Sequence, residues 1–317
     1  MDHLPGQPTA VFGGKEVLAL AEQEYANGRW SPMTNPVPGD GNIIPMESVL
    51  PATVLGYYST PEELALMQQT IDVFSSRGAW GQINNFPKIF PVAVRSRYNP
   101  DTILQKLAEV IRQKTVANLR ISDNVHGAEK CGTTQAINEM LLLSDSGVVK
   151  LFGNWPANKS ASFTRLRAAG GFLVSAAYDG KAGEVTQASI TSEKGGSITV
   201  AALWQNMKVL DESGEEVAIT LGTAPHHPEE VTFTFATEAG KTYTLVKEEP
   251  EGLCGDVDGD GAITSTDARL TLQYYAGKIG EEDLNTVVAD VDGDGGITST
   301  DARLILQYYA GKITAWP

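Results

Sequence analysis

The 317-residue chain has almost no cysteine, little histidine and no surplus of positive charge. Its two cysteines, Cys131 and Cys254, give neither a disulfide framework nor a zinc-ligand spacing. Four histidines, His3, His126, His226 and His227, form no HExxH pattern, which removes a catalytic zinc helix. The pair His226-His227, beside Pro228, reads as a turn. A formal net charge of −15 argues against nucleic acid and anionic membranes as partners, because both require a basic surface. No apolar run reaches the ~20 residues of a membrane span. The opening MDHLPGQPTAVFGG has neither a charged start nor an apolar core, so it does not read as a signal peptide.

What is present is ordinary for a globular protein, at 42% hydrophobic and 20% charged, and the length allows two or three domains. The acidity is uneven. From Glu251 to the end there are twelve acidic and four basic residues, a net of −8. That segment contains a repeat: 22 of 25 positions match between Gly255–Ile279 and Ala289–Ile313. Each copy opens with alternating carboxylates. Asp256, Asp258 and Asp260 fit positions 1, 3 and 5 of an EF-hand loop, with Gly261 at the sharp turn. Ala262 would offer its carbonyl, Thr264 stands at the often water-mediated ninth position, and Asp267 closes the loop. The second set is Asp290, Asp292, Asp294, Gly295, Gly296, Thr298 and Asp301. Calcium is a hard cation that takes six to eight oxygen ligands, and like charges this close repel without one. Two bound Ca2+ ions are therefore expected.

Two features depart from an ordinary EF-hand. The closing residue is Asp where Glu is usual, and Pro250, Gly252 and Gly255 before the first loop preclude an entering helix. Only an exiting helix is expected, with Leu272, Tyr275, Ala276 and Ile279 as its packing stripe at i, i+3, i+4 and i+7. A repeated loop-plus-one-helix unit of this kind resembles the type I dockerin module, over about Leu253 to Ile313. The resemblance implies a cohesin partner, two F-hand repeats related by a pseudo-twofold, and recognition through loop positions 10 and 11. Those positions are Ser265-Thr266 and Ser299-Thr300. Further along the helix, where relatives often place basic pairs, this chain has Leu272-Gln273 and Leu306-Gln307. The pairs Tyr274/Tyr275 and Tyr308/Tyr309 are read as helix packing in preference to partner contacts.

The chain up to about Ser144 reads as helical. Thr60-Pro61-Glu62-Glu63 is a capped start to LALMQQTIDVF, and Asn99-Pro100-Asp101 starts TILQKLAEVIRQKTV. Ile103, Leu104, Leu107, Val110 and Ile111 share one face of the latter, and TTQAINEMLLLS forms a third run. From Gly147 the period becomes two. FLVSAAYDGKAGEVTQASITSEKGGSITVAAL, MKVLD, EEVAITLG, EVTFTFATE and KTYTLVK read as strands of an antiparallel β-sandwich. KEEPEGL is a short linker.

The phrases INEMLLLSDSGVVKLFGNWP and SFTRLRAAGGFLVSA resemble the C-terminal part of glycoside hydrolase family 95, as do the helix pairs beginning IIPMESVLP and YNPDTILQK. The resemblance spans roughly Asn42 to Val200. With the strand pattern and the dockerin resemblance, it implies a multidomain α + β chain: residues 1–146 as the last helices of an (α/α)6 barrel, 147–248 as the β-sandwich, and 249–317 as the all-α calcium-binding dockerin. It implies an α-L-fucosidase-like or α-L-galactosidase-like parent acting on a carbohydrate substrate with inversion. Where the fucosidases carry an Ile-Asp-Gly-Asn-Phe-Gly-like stretch, this chain reads HGAEKCG, leaving Glu129 as the acidic candidate. The plainer alternative makes Glu129 a helix-start residue near Cys131. An inverting glycosidase needs a second carboxyl about 6.5–9.5 Å away, and in the family it comes from barrel helices upstream of Met1. The expectation is thus a C-terminal portion of an extracellular hydrolase whose signal peptide and first helices were lost by truncation. The competing expectation is a non-catalytic carbohydrate-binding or structural component that acts as an adaptor. Trp30, Trp80 and Trp155 are candidate sugar-stacking platforms, against the simpler possibility of packing.

Overall fold

The computed structural model describes residues 7–32, 42–82, 86–117, 132–248 and 252–317. The chain divides into two compact units, Met1–Val246 and Lys247–Pro317.

The first unit begins with two hairpins, where helix was expected. Strands β1 (Thr9–Phe12) and β2 (Lys15–Leu18) pair antiparallel, as do β3 (Gln23–Ala26) and β4 (Arg29–Pro32). Their two-residue turns are Gly13-Gly14 and Asn27-Gly28, all four residues at φ between 55° and 80°. Tight hairpins need left-handed backbone at both central positions, which Gly and Asn tolerate. The turn dipeptides were a readable signal; the four-residue strands were too short for periodicity to show.

Four α-helices follow among the described residues. Helix α1 (Pro61–Ser76) carries the expected capping box: the Glu63 amide donates to Thr60 Oγ1 at 3.3 Å and the Thr60 amide to Glu63 Oε2 at 2.9 Å. Then come α2 (Phe86–Arg95), α3 (Pro100–Lys114, capped by Asn99) and α4 (Gly132–Leu141). Their common core buries Met67, Ile71, Phe74, Phe90, Ile103 and Met140, together with Val17 and Leu18 of the first hairpin. The apolar stripe of α3 is narrower than the sequence pattern: Ile103, Leu107 and Val110 are buried, whereas Ile111 is 40% exposed. Helix α4 also stops sooner than the run TTQAINEMLLLS implies, because Leu142–Leu143 becomes β5 and pairs with β6 (Lys150–Leu151).

The remaining strands are β7 (Ala161–Ala168), β8 (Phe172–Asp179), β9 (Glu184–Ser192), β10 (Gly196–Ala201), β11 (Met207–Leu210), β12 (Glu216–Val217), β13 (Thr220–Ala224), β14 (His227–Thr237) and β15 (Thr242–Lys247). They form a six-stranded sheet, β12-β11-β15-β9-β8-β7, and a three-stranded sheet, β10-β14-β13, with antiparallel ladders. Val174, Ile190, Val209 and Leu245 of the larger sheet share one core with Ile198, Val200, Phe233 and Phe235 of the smaller. The run EEVAITLG, expected as one strand, splits: β12 belongs to one sheet and β13 to the other.

Helices and sheets of this unit meet at a small cluster of Tyr57, Tyr58, Leu143, Val148, Ala201 and Ala224. Around it, Tyr58 donates to Glu230 Oε1 at 3.0 Å, and Lys150 is ion-paired with the same carboxylate. The Arg97 guanidinium lies 4.1 Å above the Tyr57 ring. The turn reading of His226-His227 is half corrected: His226 sits in the turn at φ 58°, but His227 starts β14, is buried, and lies 2.9 Å from the Ser59 carbonyl. Trp80 is a core residue, not an exposed platform. It is 4% exposed, 5.1 Å from the Phe90 ring, and donates through Nε1 to Ser75 Oγ at 2.8 Å. Trp155 is half-buried and packs against the helical and sheet cores. The Trp30 side chain, Glu129 and Cys131 lie outside the described residues. Among the described residues no helix is long and apolar enough to cross a membrane.

Candidate functional site

The second unit is built from two near-copies of one device, an acidic loop feeding a helix. The helices are α5 (Ser265–Tyr275) and α6 (Ser299–Tyr309). Each is started by a threonine whose oxygen accepts from the amide two residues on, Thr264 from Thr266 and Thr298 from Thr300, both at 3.0 Å. No helix enters the first loop between Gly252 and Thr264, where the chain runs through bends and turns; Pro250 lies outside the described residues.

The loops wind tightly around their own carboxylates. Asp256 accepts from the amides of Asp260 at 3.1 Å and Gly261 at 2.9 Å; Asp260 accepts from Ala262 at 2.9 Å. In the second loop Asp290 accepts from Gly293 at 2.8 Å and Gly295 at 2.9 Å, and Asp294 from Gly296 at 2.9 Å. As a result, one oxygen from each of Asp256, Asp258 and Asp260 lies within 4.8 Å of the others, and the same holds for Asp290, Asp292 and Asp294. Burial, followed by the neighbouring aspartates, raises the carboxyl pKa of Asp258 and of Asp292. Carboxylates gathered at this spacing form an all-oxygen donor set suited to a hard divalent cation.

Asp267 and Asp301 are placed differently. Both are fully buried, and their oxygens are already engaged by the loops. Asp267 accepts from Val257 at 2.8 Å and from the Thr264 amide at 2.7 Å; Asp301 accepts from Val291 at 2.9 Å and the Thr298 amide at 2.8 Å. Each therefore ties the start of its loop to the first turn of its helix. Ala262, Gly296, Thr264 and Thr298 lie on the same loops, as the spacing requires.

The helices pack on one core made by Val257, Ala268, Leu284, Val288, Ala289, Val291, Leu304 and Ile305. This overturns the packing stripe read from the sequence. Leu272 and Leu306 are each 48% exposed, Tyr275 and Tyr309 are 56% and 55% exposed, and Ala276 and Ala310 are exposed too. The buried face of α5 is Asp267, Ala268 and Thr271, with Leu270 and Tyr274 half-buried. The tyrosine pairs thus divide. Tyr274 joins the core and Tyr308 stacks on Trp316 at 4.7 Å, while Tyr275 and Tyr309 face out. Small residues (Ala268, Thr271) hid the true inner face, because α5 packs closely through them instead of through its largest side chains.

Residues 254–309 match the family described as the dockerin type I domain. Over these residues the chain belongs to the type I dockerin family. Among solved structures it is similar to one from Acetivibrio cellulolyticus, the third cohesin of ScaC in complex with a ScaB dockerin mutated in its N-terminal helix and displaying a type I interaction. The match has 41% sequence identity, covers 21% of this chain and 94% of that one, and has a TM-score of 0.20. No curated protein matches. Dockerin domains bind calcium, and the two aspartate clusters are compatible with that.

Proposed function

We propose that the C-terminal unit is a calcium-dependent docking module whose partner is a cohesin, attaching the first unit to an extracellular cellulosome-type complex. The observation that carries this reading is the identity of the two outward faces. The aligned repeats differ at three positions, Gly255/Ala289, Ala262/Gly296 and Thr271/Ile305, and none lies on the exposed face of a helix. Ser265, Thr266, Arg269, Leu272, Gln273 and Tyr275 recur unchanged as Ser299, Thr300, Arg303, Leu306, Gln307 and Tyr309. Exposed leucine and tyrosine flanked by hydroxyls is an interface composition, since buried aromatic and aliphatic anchors supply most association energy. Two calcium ions, held by Asp256, Asp258 and Asp260 and by Asp290, Asp292 and Asp294, would offset the carboxylate repulsion. Thr264, Thr298 and the carbonyls of Ala262 and Gly296 are further expected ligands, and Asp267 and Asp301 would join them by exchanging loop-amide hydrogen bonds for the ion.

Surface plasmon resonance of the full chain over an immobilised type I cohesin tests this. Binding should require calcium and be reversed by EDTA. Asp256→Ala or Asp290→Ala alone should weaken it by about twofold, by removing one of two equivalent faces, while the double variant should abolish it. Undiminished binding in EDTA would refute the reading.

For the first unit we infer a glycoside-hydrolase-like body, with α1–α4 as helices of a barrel and residues 147–248 as the accompanying β domain. The phrases shared with glycoside hydrolase family 95 support it, and Glu129 is its acidic candidate. Turnover of an aryl α-L-fucoside or α-L-galactoside by the chain, lost in Glu129→Gln, would favour catalysis. Saccharide binding without turnover would favour a non-catalytic component.

A further inference from the structure

An open cleft of about 530 Å3 lies in the first unit, between the end of α2, one face of α4 and the end of β7. Gln135, Asn138, Glu139 and Leu142 line it at i, i+3, i+4 and i+7, so one stripe of α4 and the residue just past it makes a continuous wall. Arg95 also lines it and is 6% exposed. Its Nε and Nη2 donate to the Glu139 carboxylate at 2.9 and 2.7 Å, and its Nη1 to the Val49 carbonyl at 3.3 Å. Gln135 adds a third donor to Glu139, at 2.8 Å. The Asp145 side chain, 15% exposed, stands 3.6 Å from Arg95 Nε, beyond hydrogen-bond reach. Burial raises the Asp145 pKa against the pull of Arg95 and of the backbone amides of Asp145 and Ser146.

The lining narrows the ligand by exclusion. An anion finds no free cation: Arg95 is taken by Glu139, and Arg167 at the rim by Glu193 at 3.0 Å. A divalent metal would sit against the Arg95 guanidinium, between the carboxylates it would need. A planar aromatic ligand finds no aromatic side chain in the lining to stack on. What remains is a mixed set of acceptors and donors over aliphatic surface. Glu139 and Asp145 accept; the exposed amide of Asn138 has no hydrogen bond among the described residues; Ser144 contributes a hydroxyl, and Leu142 an apolar patch. Such a surface matches a molecule that alternates hydroxyls with C–H groups.

We propose that this cleft binds a small uncharged polyhydroxylated ligand, a monosaccharide or one sugar unit of a chain, with Asp145 and Glu139 accepting its hydroxyl protons and Asn138 donating from its amide. The site is independent of the calcium loops, and EDTA leaves it unchanged.

Saturation-transfer NMR on the full chain, with D-glucose, D-galactose, D-mannose and L-fucose as probes and acetate and ethylamine as charged controls, reads the site directly. At least one sugar should receive saturation, in calcium and in EDTA alike. Asn138→Trp fills the cleft from an exposed helix position and should abolish the signal while leaving the thermal unfolding profile intact. Asp145→Ala should weaken binding by at least about tenfold. Transfer to no sugar, transfer to a charged control alone, or transfer undiminished in Asn138→Trp would each overturn the proposal. The proposal rests on the carbohydrate reading of the first unit: transfer undiminished in Asn138→Trp overturns the cleft and leaves that reading standing, while aryl-glycoside turnover tests that reading without the cleft.

Discussion

Two consecutive residues of α6 give the sharpest test of the second unit. Ile305 is fully buried in the shared core, and Leu306 beside it is 48% exposed. Truncating a fully buried isoleucine to alanine removes three methyl or methylene groups and leaves a cavity, at a cost of about 2–5 kcal/mol. For a unit of this size each kcal/mol moves the midpoint by about 4–8 °C, so Ile305→Ala should lower the calcium-dependent transition by roughly 8–40 °C, the upper end amounting to a unit that does not fold. Ile305→Thr is gentler. At the equivalent position Thr271 donates its hydroxyl to the Asp267 carbonyl at 2.8 Å, so a threonine at 305 has its own helix as acceptor. That leaves chiefly the loss of apolar bulk, about 1–2 kcal/mol. Leu306→Ala should shift the transition by no more than about 0.5 kcal/mol, the usual range for an exposed site. Its effect belongs in the binding assay, where it appears fully only when Leu272→Ala removes the duplicate face. Calorimetry of the full chain in calcium, with the EDTA trace identifying the module's transition, reads all three. If Leu306→Ala melts the unit as strongly as Ile305→Ala, or Ile305→Ala leaves it unmoved, the assignment of inner and outer faces is wrong.

In the first unit, Trp80→Ala should cost about 3–5 kcal/mol, as expected for a large core aromatic, and leave saccharide binding unchanged if the protein folds; thermal denaturation with the NMR assay checks both. Gly255→Ala makes the repeats more alike in sequence yet should lower the melting point of the second unit. The site has φ 93°, and an added Cβ would stand 2.9 Å from the Trp316 ring; the paired change Ala289→Gly gives the control for composition. Burial pushes the Tyr57 and Tyr98 phenols up to about 12, and raises Tyr58 as well. Unfolded tyrosine ionises near 10, so the stability these groups contribute is complete below about pH 10 and is lost as pH rises through 12. A spectrophotometric phenolate titration should show a late-ionising class that coincides with alkaline unfolding, and titration of every tyrosine near 10 in the folded protein would refute it.

Much of the C-terminal unit was legible because its chemistry is local. Asp256, Asp258 and Asp260 must converge when Gly261 turns the chain, since each carboxylate is held by amides within five residues. Likewise the starts of α1 and α3 follow from Thr60, Glu63 and Asn99, whose side chains act within three residues. The N-terminal hairpins were marked by Gly13-Gly14 and Asn27-Gly28, but their strands carry too few residues to outweigh a helical reading of the whole segment.

What depended on distant partners was not legible. Which face of α5 is buried is decided by what α6 presents to it, so Ala268 and Thr271 go inward and the larger Leu272 and Tyr275 stay out. The division of EEVAITLG between two sheets, the burial of Trp80 and His227, and the meeting of Arg95 with Glu139 and Asp145 likewise join residues tens to more than a hundred positions apart. By itself the sequence determined the loops, the caps and the duplication, because hydrogen bonding and charge repulsion act over a few residues. The tertiary structure decided the inner and outer faces and assembled the cleft, because burial is a property of whatever packs opposite.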